Sequence, residues 1–563
     1  MQETFGKIFR PKLLLIYLLV FAFLVRIVGI GYGLPLWLVD DEPPFTLAAL
    51  KMLQLKTLLP VFHLEEFKTV LYYPPYLSYW YLLPFSVLLG IKYLLFSGGQ
   101  EQFIYYLTGD LSQFFLIARF LNVLMGVASV YLLYRVAKNI LPSDTSPDSG
   151  MSEFIGLTAA FFLGTSLFHA MLSSVGRHWL PVSFIFLLSW YYLTNKDFSF
   201  KKRFSLGLLI AGLGIGISPI TVLLIPFIVF WLFFQERNNL LSLFKEKYFY
   251  GIVLIFIILA ILPSILYPQS FGFRGDLTPG ATKSALGILQ SPFLFLKPVA
   301  LSEPILTIFS IFGLLFVFFK QKAIFWPLFI FIYIYSGIFY WFFRYEHRFT
   351  ITLIPILALL AGIGFAATYR RIANQALRRL FLVILPLLMI FSLRFAYLMN
   401  RNDSRLLLRE WAEQNIPAGE KILVYSRLTR LSATKEAIQE QELLDSNSLR
   451  KVDVSEINFA IPDKKYFHAL NLHDVNNQEF YDNLEKYARD RRYRYVFFGG
   501  TDAQEMDRLE SFRKLSEGGV LLKSFGEFQE EYSPAIGQLL GNPLRLFQLK
   551  EFGPPVSVYK INL

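Results

Sequence analysis

The chain has 563 residues, 55% of them hydrophobic, 17% charged and none cysteine, with a mean hydropathy of +0.46. That balance excludes disorder, a disulfide scaffold, thiol chemistry and an ordinary soluble enzyme. The net charge of +12 divides unevenly, with −2 over residues 400–563 and +14 over residues 1–399. The basic excess therefore lies in the apolar part, where it marks topology and not a nucleic-acid surface.

A membrane-crossing helix needs about 20 mainly apolar residues. Such runs start near Leu13, Phe114, Phe154, Leu180, Phe204, Ile220, Tyr250, Ile305, Ile324, Ile351 and Phe381. They predict a polytopic α-helical membrane protein with about 11 spans. A further apolar run, Tyr76–Phe96, is decided by the positive-inside rule. With Lys7, Arg10 and Lys12 in the cytoplasm and Tyr76–Phe96 not crossing, five basic clusters also fall on the cytoplasmic side. They are Arg135/Lys138, Lys196/Lys201/Lys202/Arg203, Arg237/Lys245/Lys247, Lys320/Lys322 and Arg370/Arg371/Arg378/Arg379. Crossing would move all of them outside. Tyr76–Phe96 is therefore expected to lie along, or dip into, the outer interface.

The first run lacks a small-residue cleavage site and reads as an anchored helix. Residues 1–399 form the expected membrane module, with outer loops at about 35–113 and 267–304. From residue 400 onward charges mix freely. Strand-like runs (Lys421–Tyr425, Tyr495–Phe498, Val556–Ile561) alternate with helix-like runs (Ala433–Leu444, Tyr481–Arg491), as in a small soluble α/β domain. The reading is a plasma (inner) membrane protein with a cytoplasmic N-terminus and an extracytoplasmic 400–563 domain.

Acidic residues are scarce in the membrane module, yet Asp40, Asp41 and Glu42 are consecutive in LVDDEPPF, just beyond the first span. Three adjacent carboxylates repel one another. They read either as a general base or cation site at the outer interface or as a cap for the helix that follows. Tyr72, Tyr73, Pro74, Pro75 and Tyr76 lead into the interfacial helix, with aromatics at headgroup level. Arg344, His347 and Arg348 crowd a short outer turn where the positive-inside rule does not want them. A phosphate partner would explain them. Arg177 and His178 share a similar turn, and Arg119 starts a span at the outer edge. Arg26 lies within the first span, as a functional charge or one snorkelling to headgroups. Arg274 and Asp276 occupy the second outer loop. The histidines show no metal-ligand spacing, so a divalent cation on the carboxylates is the one cofactor in view.

At these residues the chain resembles the polytopic GT-C glycosyltransferases, especially bacterial glycosyltransferase family 39 and the aminoarabinose transferases. The likeness rests on the DE pair after the first span, YYPPYLSYW, LIARFLNVLMGVASVYLLYRVAKNI, HRFTITLIPILALLAGIG and RLLLREWAEQNIPAGEKILVYS. It departs at Tyr73, where aminoarabinose transferases carry Lys, and at GRHWLPV, where many members have an acid. The resemblance implies inverting transfer of a sugar from a polyprenyl-phosphate carrier to a lipid, protein or glycan acceptor at the outer face of the bilayer. Asp41 would then activate the acceptor, Glu42 orient acceptor or donor, and Asp40 assist. Arg344, Arg348, His347 and Arg177 would bind the donor phosphate. Tyr73, Pro74, Pro75 and Arg26 would line the interface or substrate loop. The rival reading is a lipid-linked saccharide transporter or flippase, which would need polar residues deep in several spans. A receptor with anchoring spans needs far fewer of them.

Overall fold

The computed structural model describes residues 11–39, 41–68, 70–99, 102–103, 107, 111–140, 150–271, 285–342, 346–426, 429–449, 464–499, 506–526 and 541–562. Asp40, Arg344, Arg274 and Asp276 lie outside the described residues. The membrane part runs α1 (Pro11–Ile27), α2 (Pro43–Leu55), α3 (Tyr76–Leu95), α4 (Ser112–Ile140), α5 (Gly150–Thr165), α6 (Leu167–Ser173) and α7 (Trp179–Thr194). It continues through α8 (Phe200–Ile215), α9 (Leu224–Leu243), α10 (Lys247–Leu266), α11 (Ala285–Ser302), α12 (Pro304–Lys320), α13 (Lys322–Phe342), α14 (Ile354–Arg371) and α15 (Ile384–Met399).

Each apolar run of the sequence falls on one of these helices. Among the described residues, six helices are long and apolar enough to cross a membrane, or eight if each of two bent pairs is one span. The expected eleven is larger because it also counts shorter helices such as α7 and α12. Helix α3 is one of the six by length and composition. Its assignment to the interface rests on the charge pattern of the loops.

Helix α14 is the centre of the bundle, with every residue from Ile354 to Ala366 buried. A helix apolar all round can face lipid or be enclosed by other helices, and α14 is enclosed. Small residues let neighbours approach its backbone, as membrane helices require. On α12, a Cβ at Gly313 would sit 1.8 Å from the Leu360 carbonyl oxygen.

Helices α5 and α6 are two halves of one apolar stretch, bent by 61° at Ser166. The break frees backbone groups that lipid cannot satisfy, and three distant side chains take them. Arg26 donates from Nη1 to the carbonyls of Ala22 and Gly164 (2.9 and 3.1 Å), and from Nη2 to that of Leu163 (3.2 Å) and to His169 Nδ1 (2.8 Å). Ser392 Oγ donates to the Thr165 carbonyl (2.7 Å). Buried Glu303 accepts the Phe168 N–H and the Ser166 hydroxyl, both at 2.9 Å. Arg26 is thus fully buried inside the bundle, and the interfacial or snorkelling position expected for it is replaced by this helix-capping one.

The C-terminal domain opens with α16 (Ser404–Asn415) and builds a five-stranded sheet from β1 (Lys421–Tyr425), β2 (His468–Asn471), β3 (Tyr495–Gly499), β4 (Val520–Phe525) and β5 (Val556–Lys560), in the order β2-β1-β3-β5-β4. Strands β1, β2 and β3 are parallel, and β5 is antiparallel to both β3 and β4. Helices α17 (Lys435–Leu444) and α18 (Met506–Ser516) belong to this unit. The domain docks onto the end of the bundle that carries the loop after α1. There Tyr32 donates to Asp403 Oδ2 (2.5 Å), Arg405 Nε holds Asp403 Oδ1 (2.8 Å), and Arg394 donates to the carbonyls of Leu546 and Leu549 (2.9 and 2.5 Å).

Replacing Arg26 with Leu strands the Leu163 and Gly164 carbonyls at the break in an apolar interior, at about 1–3 kcal/mol each. The variant should unfold well below the wild type in a detergent thermal melt. An unchanged transition would show that the helix break is held by other means.

Candidate active site

The chain leaves α1 in a series of turns, and α2 starts at Pro43 and Pro44, whose fixed φ suits a first helical turn. Between them Asp41 takes a left-handed backbone with φ of +58°. Few non-glycine residues adopt that conformation, Asp and Asn more readily than most, and such outliers gather at functional sites. Glu42 occupies the N-cap position without making a side-chain cap. The two carboxylates serve different partners instead.

Glu42 is completely buried. Arg119, on the first half of α4, grips it with two bonds, Nε to Oε1 at 2.7 Å and Nη2 to Oε2 at 2.6 Å. The Nη1 of Arg119 donates to the carbonyls of Ile30 and Tyr32, both at 2.7 Å. The Gly176 N–H donates to Glu42 Oε1 at 2.6 Å. Only glycine permits that approach, since a Cβ there would lie 2.7 Å from Oε1. One turn along α4, Asn122 Nδ2 donates to the carbonyls of Val175 and Arg177 (2.6 and 2.9 Å). The loop after α6 is therefore pinned on both sides, and Arg177 is delivered to Asp41.

Asp41 is the accessible acid, its side chain 32% exposed. Arg177 Nη2 donates to its Oδ2 at 2.8 Å, and Arg348 Nη2 lies 3.6 Å from the same oxygen. Tyr73 also hydrogen-bonds its side chain. Burial works against the charge of Asp41, but Arg177, then Arg348 and the Tyr73 bond, hold the carboxyl below its usual value. Arg348 pairs with Glu346 as well and lies 5.8 Å from the Phe349 ring. His347 starts the same short turn, and burial lowers its imidazole.

The aromatic residues close one side. Tyr73 stacks on Phe45 at 4.9 Å and lies 4.7 Å from the His178 ring. Tyr76, which Pro75 caps at the start of α3, donates its N–H to the Gly216 carbonyl (3.0 Å) and anchors the Pro74–Pro75 entry.

The structure thus gathers Asp41, Arg177, Arg348 and Tyr73, and places His347 in the adjoining turn. Glu42 is adjacent in sequence but buried in the Arg119 clamp, with both its oxygens taken by protein donors. Arg26 lies in the bundle core. Sequence reasoning passed over Gly176 and Asn122, and weighed Arg119 only lightly. The one signal was the spacing of Arg119 and Asn122, two polar residues on one face of an otherwise apolar helix. Among the described residues no three His, Asp or Glu side chains gather to hold a metal ion. Asp41 and Glu42 are each held by arginine instead.

No protein-family model matches the chain, and no curated protein matches it. The solved structures similar to it include two of one protein. The crystal structure of ArnT from Cupriavidus metallidurans in the apo state is 12% identical over 88% of this chain and 94% of that one, with a TM-score of 0.42. The same protein bound to undecaprenyl phosphate is 12% identical over 97% of each chain, with a TM-score of 0.39.

Removing the Glu42 carboxylate by Glu42→Ala leaves Arg119 buried and unpaired, at a cost of about 3–5 kcal/mol. A detergent melt should show a large loss of stability for this variant and a smaller one for Gly176→Ala. Wild-type stability in Glu42→Ala would refute the clamp.

Proposed function

We propose that this chain is a glycosyltransferase that takes a sugar from a polyprenyl-phosphate carrier in the bilayer and transfers it, with inversion, to an acceptor at the outer face. The observation that carries the reading is an accessible carboxylate held against two arginines, at the end of a membrane bundle where the soluble domain docks. The orientation rests on the loop charges, which put this end outside and the N-terminus in the cytoplasm.

Arg177 and Arg348 are suited to a phosphate because guanidinium groups offer forked donors of fixed charge. A bound phosphodiester would draw them from Asp41. Losing its counter-ions makes that carboxylate a stronger base. Asp41 then takes the proton of the acceptor hydroxyl, and the acceptor oxygen attacks the anomeric carbon. The bond from that carbon to the phosphate oxygen breaks, and its electron pair leaves on the polyprenyl phosphate. The arginines stabilise the charge that gathers there. The proton passes from Asp41 to solvent. Glu42 acts through position alone, by fixing the loop that presents Arg177.

A transporter would want polar groups lining a path. Arg26, the charge deepest in the first span, is spent on the helix break.

Transfer from a polyprenyl-phosphate hexose or pentose can be assayed in membranes. Asp41→Asn should lower the rate by about 10²–10⁴-fold, the usual share of a general base, with folding intact. Full activity in that variant would end the proposed role. Because the arginines hold Asp41 below its ordinary value in the free protein, kcat/KM for the donor should stay flat through neutral pH and fall only in acid, below the usual carboxylate range. A decline centred near pH 7 would point to another group.

A further inference from the structure

His178 and Trp179 follow Arg177 directly, and nothing in the mechanism above uses them. Both are nearly closed off, at 2% and 7% exposed. They form the middle of a continuous row of rings. His178 lies 5.3 Å from Phe45, 4.7 Å from Tyr73 and 4.5 Å from Trp179, and Trp179 lies 4.9 Å from Phe349. The row runs beside the charged cluster, for Tyr73 bonds Asp41 and Phe349 adjoins Arg348.

Within this row two polar atoms have no hydrogen-bond partner, Nδ1 of His178 and Nε1 of Trp179. A buried donor or acceptor left unmade is costly and calls for an explanation. Trp Nε1 can only donate. Burial, and then the charge of Arg177, push the His178 imidazole down to about 3, so the ring is neutral and keeps one nitrogen able to accept. Aromatic faces with a spare indole donor and a spare imidazole nitrogen, next to a carboxylate and guanidinium groups, match a polyhydroxylated ring, whose hydroxyls both donate and accept. Its C–H face packs on the aromatics and its hydroxyls exchange hydrogen bonds with the nitrogens. A lipid tail would leave both nitrogens unpaired, and a phosphate would gain nothing from the ring faces.

We infer that His178 and Trp179 are the sugar-recognising wall of the site, contacting the hydroxylated ring of the donor and not its phosphate or polyprenyl chain. The assignment rests on the glycosyltransferase reading. An acceptor glycan would present the same chemistry, so the test separates the two.

The full-length protein in detergent is titrated with bare polyprenyl phosphate and with a polyprenyl-phosphate hexose, as wild type, Trp179→Phe and His178→Phe. Each variant keeps a ring and loses the unpaired nitrogen, and a thermal melt checks that each is folded. Bare polyprenyl phosphate should bind all three alike. The hexose-linked lipid should bind each variant about tenfold more weakly, the effect of one hydrogen bond of about 1.4 kcal/mol. Equal loss for both ligands, or no loss for either, overturns the sugar wall while leaving the transferase reading intact. Unchanged donor binding with a raised acceptor KM overturns the donor assignment in favour of the acceptor. A wild type that binds neither lipid overturns the transferase reading and this inference with it.

Discussion

A guanidinium and a carboxylate, both shut away from solvent, join stretches of chain far apart in sequence. Arg119 on α4 holds Glu42 with two bonds and the carbonyls of Ile30 and Tyr32 with a third nitrogen. Glu42 in turn holds the amide of Gly176. In an apolar bundle such a pair is tolerable only when nearly every donor and acceptor is used, and here the carboxylate takes three donors. The clamp fixes the loop after α1 and the loop after α6 at one spacing. That spacing decides whether Arg177 meets Asp41.

Two neighbouring acids thus have different work. Glu42 contributes order, and Asp41, turned the other way by its left-handed backbone, contributes an open and charged face. The helix break between α5 and α6 is part of the same arrangement. Without the bend at Ser166, the short α6 would not carry its C-terminal loop across to α2. Arg26, Ser392 and Glu303 satisfy the groups that the bend exposes. Much of the polar chemistry inside the bundle therefore serves to hold one end of it in a set shape.

Much of the fold was legible because hydropathy is a local property. Each apolar run from Leu13 to Phe381 became a helix, and β1 spans the residues read as a strand, Lys421–Tyr425. The short β2 and the exposed β4 escaped, since neither has the alternating apolar pattern that reveals a half-buried strand. The α5–α6 break escaped for another reason. LGTSLFHA carries no Pro at the bend, only Gly164 and the local Ser166 cap, and much of what stabilises the break comes from residues more than a hundred positions away. The same holds for the site. Scarcity singled out Asp41 and Glu42, and charge out of place singled out Arg177 and Arg348. Which acid is buried and which is open depends on Arg119 and Gly176, and spacing along the chain does not encode that meeting.

The central claim is that a polyprenyl phosphate takes Arg177 and Arg348 from Asp41 and leaves that carboxylate facing the acceptor. A structure of the protein with a polyprenyl-phosphate analogue bound tests it most directly. Phosphate oxygens are expected within hydrogen-bond reach of both arginines, with Asp41 Oδ2 released from Arg177. A phosphate bound elsewhere, with the Asp41–Arg177 pair still closed, would contradict it.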